Sequence, residues 1–332
     1  MKRFNHLLIP AAGLAALALT ACERPPVDSE QIGYRGTAMV QVNNPRLAVE
    51  VDAPAPLPPV PQVGPKAGDI YQSVQVLGDL PVTEFNRTMQ SISEWVAPPE
   101  EGCNYCHYPE NLASDDKYTK RVARRMLQMN RYVNAEYEAH MGETGVTCYT
   151  CHLGQPVPAK IWFADNSEAG AAPYAGNRNG QNIAAPQVGL SSLPLDPFSK
   201  LLTDVDVQAR VLSPDWPPKS GNASIQATEY TYALMMHMSG ALGVNCTYCH
   251  NSNNFAGWAN STPARAKAWH AVNMTQDMNQ NYLIPLKPEY PAERLGPTGD
   301  APKANCATCH GGLPLPLNGA PMAAEYPAFW PR

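Results

Sequence analysis

The sequence lacks an apolar run long enough to cross a membrane. Its N-terminal apolar segment, residues 7–19, spans 13 residues, whereas a membrane-spanning helix needs ~20. Lys2 and Arg3 precede this segment and Leu19-Thr20-Ala21-Cys22 closes it, which resembles a bacterial lipoprotein signal with its lipobox. We therefore predict a signal peptide over residues 1–21 and a lipid on Cys22, in preference to an uncleaved membrane anchor. Either arrangement places the rest of the chain on the periplasmic side of the inner membrane.

The sequence also lacks a cysteine pair for a disulfide, although exported proteins commonly contain such bonds. Eight of its nine cysteines belong to four Cys-x-x-Cys-His sequences, and the ninth is Cys22. The four motifs are Cys103/Cys106/His107, Cys148/Cys151/His152, Cys246/Cys249/His250 and Cys306/Cys309/His310.

This pentapeptide is typical of the attachment of a c-type haem. Its two thiols are spaced to bond the two vinyl groups along one edge of the porphyrin, and the adjoining histidine then binds the iron on one face. Zinc sites and redox dithiols need only the cysteine pairs, so the histidine in all four motifs argues against them. The sequence therefore predicts four covalently bound haem c groups.

Regular secondary structure is limited by proline. The chain has 34 prolines among 332 residues, about twice the usual ~5%, and proline interrupts helices and strand ladders. No run alternates clearly between apolar and polar residues, so we predict a mainly α fold with extensive irregular coil. Helices are predicted over residues 82–95, 118–139, 228–242 and 263–279, and the proline-rich segment 53–65 is predicted to form a polyproline-like strap on the surface.

The motifs fall into two similar halves. Each half opens with a Thr-Glu-aromatic triplet, Thr83-Glu84-Phe85 or Thr228-Glu229-Tyr230, at the start of a helical segment that contains a methionine. We predict a multihaem cytochrome of two pseudo-repeated halves, each with two helix-turn-haem units. The predicted organisation is an extended arm at 22–80, the first half at 81–160, a proline- and glycine-rich connection at 161–220, and the second half with the C-terminal tail at 221–332.

The second axial ligand of each iron decides between catalysis and electron transfer, because an open position admits a substrate. Met89, Met126 and Met235 lie 18, 26 and 15 residues before the histidines of the first three motifs, each on a predicted helix. Their recurrence favours iron ligation over simple core packing. Spacing leaves open the choice between Met126 and Met129, and the choice among Met235, Met236 and Met238.

For the fourth motif, His140 is one candidate for the second ligand. It lies 14 residues after Met126, which in one continuous helix is ~21 Å along the axis and nearly four whole turns. Both side chains would then face the same side, and one helix would serve two neighbouring haems. Spacing leaves three local competitors for the fourth iron, namely His270, Met274 and Met278.

Positive charge is in the minority. Lys and Arg number 24 against 29 Asp and Glu, a net charge of −5, and removal of residues 1–21 takes away two cations and no acidic residue, which makes it −7. This balance argues against a nucleic-acid partner and suits a small basic electron-carrier protein.

Several segments together resemble the tetrahaem cytochrome subunit of purple-bacterial photosynthetic reaction centres. They are the lipobox, the arm Gly33-Tyr34-Arg35-Gly36-Thr37, and a helix with Leu234-Met-Met that leads to Gly243-Val-Asn-Cys246-Thr-Tyr-Cys-His250. The resemblance covers nearly the whole mature chain. It implies the axial pairs Met89 with His107, Met126 with His152, Met235 with His250, and His140 with His310.

The resemblance also implies partners. Such a subunit lies on the periplasmic face of the photosynthetic membrane against the L and M subunits, anchored by its lipid. It accepts electrons from a soluble cytochrome c or a high-potential iron–sulfur protein and passes them to the bacteriochlorophyll special pair, with the third haem in sequence nearest to that pair. The alternatives are an independent lipid-anchored electron shuttle and a multihaem reductase, of which the latter requires an open or lysine-ligated haem.

Overall fold

The computed structural model describes residues 27–32, 39–164, 180–211 and 223–330. The predicted signal peptide, Cys22, the segment 33–37 and parts of the predicted connection at 161–220 lie outside the described residues.

The described residues are mainly helical with much irregular coil, which confirms the predicted class. In chain order they form strands β1 (Asp28–Gln31) and β2 (Val40–Asn43) and helices α1 (Ala67–Ile70), α2 (Val82–Val96), α3 (Tyr118–Glu136), α4 (Glu138–Met141), α5 (Cys148–His152), α6 (Phe198–Leu201), α7 (Ile225–Leu242), α8 (Pro263–Asp277) and α9 (Cys306–His310). Short 3₁₀ turns connect many of these elements.

The long helices α2 and α7 begin and end close to the predicted residues, for local reasons. α2 stops before Pro98, and the residue that precedes a proline disfavours helical geometry. The Ser224 hydroxyl accepts a hydrogen bond from the Ala227 amide and caps the start of α7. α7 ends at Gly243, which has a φ of 66°, and a Cβ at this position would collide with the Gly312 carbonyl. Only glycine fits here.

The helix predicted over residues 118–139 is interrupted, which corrects that prediction. α3 ends one residue before Tyr137, whose φ of −118° and ψ of 33° are not helical, and His140 lies on the separate helix α4. The hydroxyls of Tyr132 and Tyr137 donate to the Asp277 carboxylate of α8 at 2.7 and 2.8 Å. These two hydrogen bonds fix the end of α3 against α8 at the point where the helix is interrupted. Met126 and His140 therefore lie on separate helices, and the prediction that they share one continuous helix is wrong.

α8 ends two residues before its predicted end and continues as a π-helix, Met278–Leu283. Two buried amides at this junction bind neighbouring segments. Gln276 donates to the Leu201 carbonyl at 2.8 Å, and Asn279 donates to the Ala304 carbonyl at 2.9 Å. α8 is thereby joined both to α6 and to the residues that lead into the fourth motif.

The sequence does not predict the antiparallel hairpin of β1 and β2. Each strand has four residues, too few for a clear alternating pattern. β2 is held instead by residues of the third motif, because Asn245 and Thr247 both donate to the Val40 carbonyl at 2.6 Å. The hairpin therefore depends on a contact made some 200 residues away.

The strap predicted at 53–65 lies against α2, together with the C-terminal tail. Arg87 of α2 donates to the Leu57 carbonyl and to the Glu325 carbonyl, both at 2.8 Å. Its guanidinium lies 4.1 Å from the centre of the Tyr326 ring and forms an ion pair at 3.0 Å with Glu84, which is fully buried. One buried ion pair thus joins the arm and the tail to the first long helix.

The hydrophobic core consists of several clusters between the motif-bearing segments. The first lies among α6, α7 and α8 and includes Trp162, Phe198, Leu202, Leu234 and Val272. A second lies beneath α2 and the tail and includes Trp95, Leu317, Tyr326 and Phe329. Cysteines of two motifs pack against these clusters, Cys306 against the first and Cys148 against the second.

Candidate haem sites

The four motifs adopt two alternating local structures. The first and third lie in 3₁₀ turns, Gly102–Tyr105 and Cys246–Tyr248, whereas the second and fourth form the one-turn helices α5 and α9. A capping box starts each of these two helices, with Thr147 and Thr150 at α5 and Asn305 and Thr308 at α9.

The first and third motifs share a further contact with the helix that follows. Thr119 at the start of α3 donates to the Tyr105 carbonyl, and Thr262 before α8 donates to the Tyr248 carbonyl, both at 2.6 Å and both across 14 residues. Neither threonine belongs to the haem motif, so the motif spacing does not predict this contact. Alignment of the two halves of the sequence could have indicated it, because a threonine lies at the same distance after the first motif and after the third.

Each motif histidine is oriented by a backbone carbonyl. The Nδ1 atoms of His107, His152 and His310 lie 2.9 Å from the carbonyls of Leu112, Gln155 and Leu313, and that of His250 lies 3.0 Å from Phe255. The acceptor is five residues after the histidine in the first and third motifs and three after it in the others. Because Nδ1–H donates, Nε2 keeps its lone pair, which is the form that binds a metal.

Burial keeps three of these imidazoles neutral. It lowers the pKa of His152, His250 and His310 below the ordinary value of about 6.5 by desolvating the charged form. A neutral histidine is the state that coordinates iron.

His140 faces the histidine of the fourth motif. The ring centres of His140 and His310 are 6.0 Å apart. Two metal–imidazole bonds of about 2 Å each, with the distance from nitrogen to ring centre at both ends, add to about 6 Å. The Nδ1 of His140 lies 3.1 Å from the Lys267 carbonyl of α8, so its Nε2 is also the atom left to bind a metal. Burial, and secondarily His310, lowers the pKa of His140 to about 4.

The competitors of His140 make other contacts. Met274 and Met278 line a cavity that borders both the second motif and the fourth, at Thr308 and Cys309, so the cavity alone does not remove them from the fourth site. The His270 ring packs edge-on against Trp269, with 4.8 Å between ring centres. The separation of the His140 and His310 rings, in contrast, suits two imidazoles that bind one iron.

A cavity of about 410 Å³ borders the second motif, within the usual ~300–1,000 Å³ of ligand pockets. Its lining is mostly apolar and includes Cys148, Cys151 and His152 together with Met126 and Met129. The residues needed to hold a haem by two thioethers and a histidine–methionine pair therefore meet around one cavity, which fits the group. Because Met126 and Met129 both line it, the cavity does not separate these two candidates.

Met89 and Met235 lie on helices adjacent to their motifs. Met89 belongs to α2, which contacts the 3₁₀ turn of the first motif, and packs beside Leu77 and Leu80. Met235 belongs to α7, just before the third motif, and packs at the edge of the cluster around Leu234. Both are partly buried.

A disulfide joins Cys151 of the second motif to Cys309 of the fourth. The prediction that no cysteine is left for a disulfide is therefore wrong for this structure. A sulfur bound in a disulfide cannot also form a thioether with a haem vinyl group, so attachment of haem at the second and fourth motifs requires Cys151 and Cys309 to be free of this bond. The Cα atoms of the pair lie 4.3 Å apart, which shows that the second and fourth motifs are direct neighbours.

Contacts between the motif-bearing elements give them a spatial order. The turn of the first motif contacts α2, and α2 contacts α5 of the second motif. α5 contacts α9 of the fourth motif, and α9 contacts α7, which leads into the third. These contacts link the four motifs in the order first, second, fourth, third.

Arg265 lies beside the third motif, and its guanidinium makes its contacts with protein atoms. Its guanidinium donates to the Ser261 hydroxyl at 2.7 Å and to the Ala256 carbonyl at 3.3 Å, and lies 4.2 Å from the centre of the Trp258 ring. Burial lowers its pKa from the ordinary value, but the arginine remains a cation at neutral pH.

Comparisons with known proteins identify the family of the chain. The family model for the photosynthetic reaction centre cytochrome c subunit matches residues 23–330. The chain belongs to this family. Proteins named photosynthetic reaction center cytochrome c subunit are 51% identical in Rubrivivax gelatinosus, over 97% of this chain and 89% of the relative, and 44% identical in Thermochromatium tepidum, over 99% and 82%. A third, from Roseobacter denitrificans, is 42% identical over 97% of this chain and 91% of the relative.

As a reaction centre cytochrome c subunit, the chain is a c-type cytochrome with covalently bound haem, and it transfers electrons rather than acting as an enzyme. Within the described residues, no helix has the length and apolar character needed to cross a membrane.

Proposed function

We propose that this chain is a four-haem electron-transfer subunit that re-reduces the photo-oxidised bacteriochlorophyll special pair of the reaction centre. The observation that carries the proposal is the pairing of His140 with His310, whose ring centres lie 6.0 Å apart. An iron held by both imidazoles would have no coordination position left for a substrate, which favours electron transfer over catalysis at that haem.

The proposed axial pairs follow from the motifs and their neighbouring helices. His107 pairs with Met89, His152 with Met126, and His250 with Met235, while His310 pairs with His140. The support differs between pairs: the cavity supports the second and the ring separation supports the fourth. The first and third rest on spacing and family resemblance, with both methionines on helices that adjoin their motifs.

Haem c supplies the one-electron couple of its iron when bound, and the residues of the chain set its potential. A methionine sulfur raises the potential relative to a second histidine. The fourth site should therefore have the lowest midpoint potential. Because the spatial order is first, second, fourth, third, the low-potential site lies between two sites of higher potential.

The alternating local structures support two pseudo-repeated halves. In each half, one motif lies in a 3₁₀ turn, and its histidine Nδ1 is hydrogen-bonded to the carbonyl five residues later. The other motif forms a capped helical turn, and its histidine Nδ1 is hydrogen-bonded to the carbonyl three residues later. The two halves meet where α5, which carries the second motif, contacts α9, which carries the fourth.

The proposed partners are the L and M subunits of the reaction centre and a soluble donor, either a cytochrome c or a high-potential iron–sulfur protein. The net charge, −5 for the full sequence and −7 without residues 1–21, supports a basic donor. The family name places the relatives in the photosynthetic reaction centre, a membrane complex. We propose that a lipid on Cys22 holds the chain on the periplasmic face of that membrane.

The test is purification of the complex from photosynthetic membranes, followed by intact mass measurement and redox titration of the cytochrome. We expect four haems per chain, low-spin spectra for all four irons, and co-migration with bacteriochlorophyll. A stable high-spin haem would favour a reductase, and a cytochrome that never co-migrates with bacteriochlorophyll would favour an independent shuttle.

A further inference from the structure

Lys120 is a buried cation beside the first motif. Its ammonium lies 2.9, 2.8 and 2.8 Å from the carbonyl oxygens of Leu112, Ala113 and Ser114 and 3.1 Å from the Asp115 carboxylate. Lysine has three N–H donors, so the carbonyls of this loop are sufficient to satisfy all three. A buried ammonium is stable only with such partners.

One of these carbonyls also orients the motif histidine. The Leu112 oxygen accepts from His107 Nδ1 at 2.9 Å and from Lys120 Nζ at 2.9 Å. Lys120 therefore acts on His107 through a shared acceptor. The ammonium fixes the position of that oxygen and withdraws electron density from it.

The place of Lys120 in α3 is not explained by helix preference. It is the third residue of the helix, and the first turn of α3 contains no acidic residue. The positive end of the helix dipole disfavours a cation at this position. The loop carbonyls, rather than the helix, account for this lysine.

The other half of the chain repeats the arrangement. Arg265 is the third residue of α8, whose first turn also contains no acidic residue. It donates to the carbonyls of Ala256 and Gly257, which follow His250 by six and seven residues, as Ala113 and Ser114 follow His107. Two different side chains thus make the same contact with the loop after a motif histidine.

We propose that Lys120 is a positioning residue for the first haem, one that fixes the carbonyl acceptor of His107 and raises the midpoint potential of that haem. The inference rests on the proposed function, since it requires a haem at the first motif. Hydrogen bonding of Nδ1–H to a carbonyl makes the imidazole a stronger donor to iron and stabilises the ferric state. A cation on the same carbonyl weakens this effect, and its own charge also disfavours the ferric state.

The experiment is equilibrium redox titration of the purified four-haem protein with variants at this position. Lys120→Met and Lys120→Gln remove the charge, and the glutamine retains an N–H donor for the loop so that a folded neutral variant is available. Lys120→Arg keeps the charge. Lys117→Met is the matched control, because Lys117 contacts the same motif through the Asn104 carbonyl and the Tyr108 ring but is partly exposed.

We expect the neutral variants at Lys120 to lower the midpoint potential of the first haem alone, and Lys120→Arg to restore most of it. The first haem is identified as the component that falls in Met89→His. An unchanged potential in both neutral variants, or an equal shift in Lys117→Met, would overturn the assignment of Lys120. Fewer than four haems in the unmodified protein would instead contradict the proposed function, so the two failures are distinguishable.

Discussion

Removal of the Arg87 charge should release the arm and the tail from α2. The side chains of Arg87 and Glu84 are 4% and 0% exposed and form an ion pair at 3.0 Å. In Arg87→Met the Glu84 carboxylate stays buried with Gln62 as its remaining side-chain partner, at 2.7 Å. Loss of one member of a buried ion pair costs about 3–5 kcal/mol. The carbonyls of Leu57 and Glu325 also lose their donor, so we expect the upper part of that range.

The assay is guanidinium unfolding followed by far-UV circular dichroism, combined with limited proteolysis of the strap at 53–65. The matched control is Arg121→Met. Arg121 pairs with Glu289 at 2.6 Å, but both side chains are 35% exposed, and such surface pairs contribute about 0–1 kcal/mol. The double variant Glu84→Gln, Arg87→Met removes both charges and should be less destabilised than Arg87→Met alone. A loss below about 1 kcal/mol in Arg87→Met, with no faster cleavage of the strap, would show that this ion pair does not hold the arm and the tail.

Three further predictions concern two axial ligands and one glycine, the last two with a matched control variant. His140→Met should raise the lowest midpoint potential and leave the other three unchanged, because methionine ligation raises haem potentials. A shift at the second haem instead would show that His140 is not the ligand of the fourth iron. Met126→Leu should convert one haem to the high-spin form whereas Met129→Leu should not, as read from visible and EPR spectra, and the reverse result would exchange the two methionines. Gly145→Ala should destabilise the protein by at least about 1–3 kcal/mol, because φ is 58° and the added Cβ would lie 2.8 Å from neighbouring side chains. Gly102→Ala, with φ 51° and nothing within 4 Å, should cost less in the same denaturation experiment.

The sequence predicts best where its signals are local. Prolines and glycines mark the ends of α2 and α7, and the predicted bounds of these helices agree with the structure to within a few residues. The motif histidines are likewise found from spacing, since five consecutive residues carry the whole pattern.

Prediction fails where the structure depends on distant contacts. The break after α3 accompanies hydrogen bonds from Tyr132 and Tyr137 to Asp277, some 140 residues away in sequence. The hairpin of β1 and β2 depends on Asn245 and Thr247 in the same way. The strands are too short for their own sequence to predict them.

His140 lies where it was predicted, beside His310, although the helix geometry from which it was predicted is wrong. The prediction of one continuous helix is wrong, yet His140 lies 6.0 Å from His310 between ring centres. The turn between α3 and α4, with the Lys267 carbonyl as an acceptor for Nδ1, sets the orientation of this ring. Neither contact has a signal in the local sequence, and the disulfide between Cys151 and Cys309 depends in the same way on packing across the two halves.

Electron transfer from these haems to the special pair is tested by flash spectroscopy on isolated photosynthetic membranes in which the haems are reduced beforehand. After one flash, we expect the reduced α-band of this cytochrome to bleach as the special pair is re-reduced, with equal rate constants and one haem oxidised per pair. Re-reduction of the pair at an unchanged rate while all four haems stay reduced would contradict this expectation.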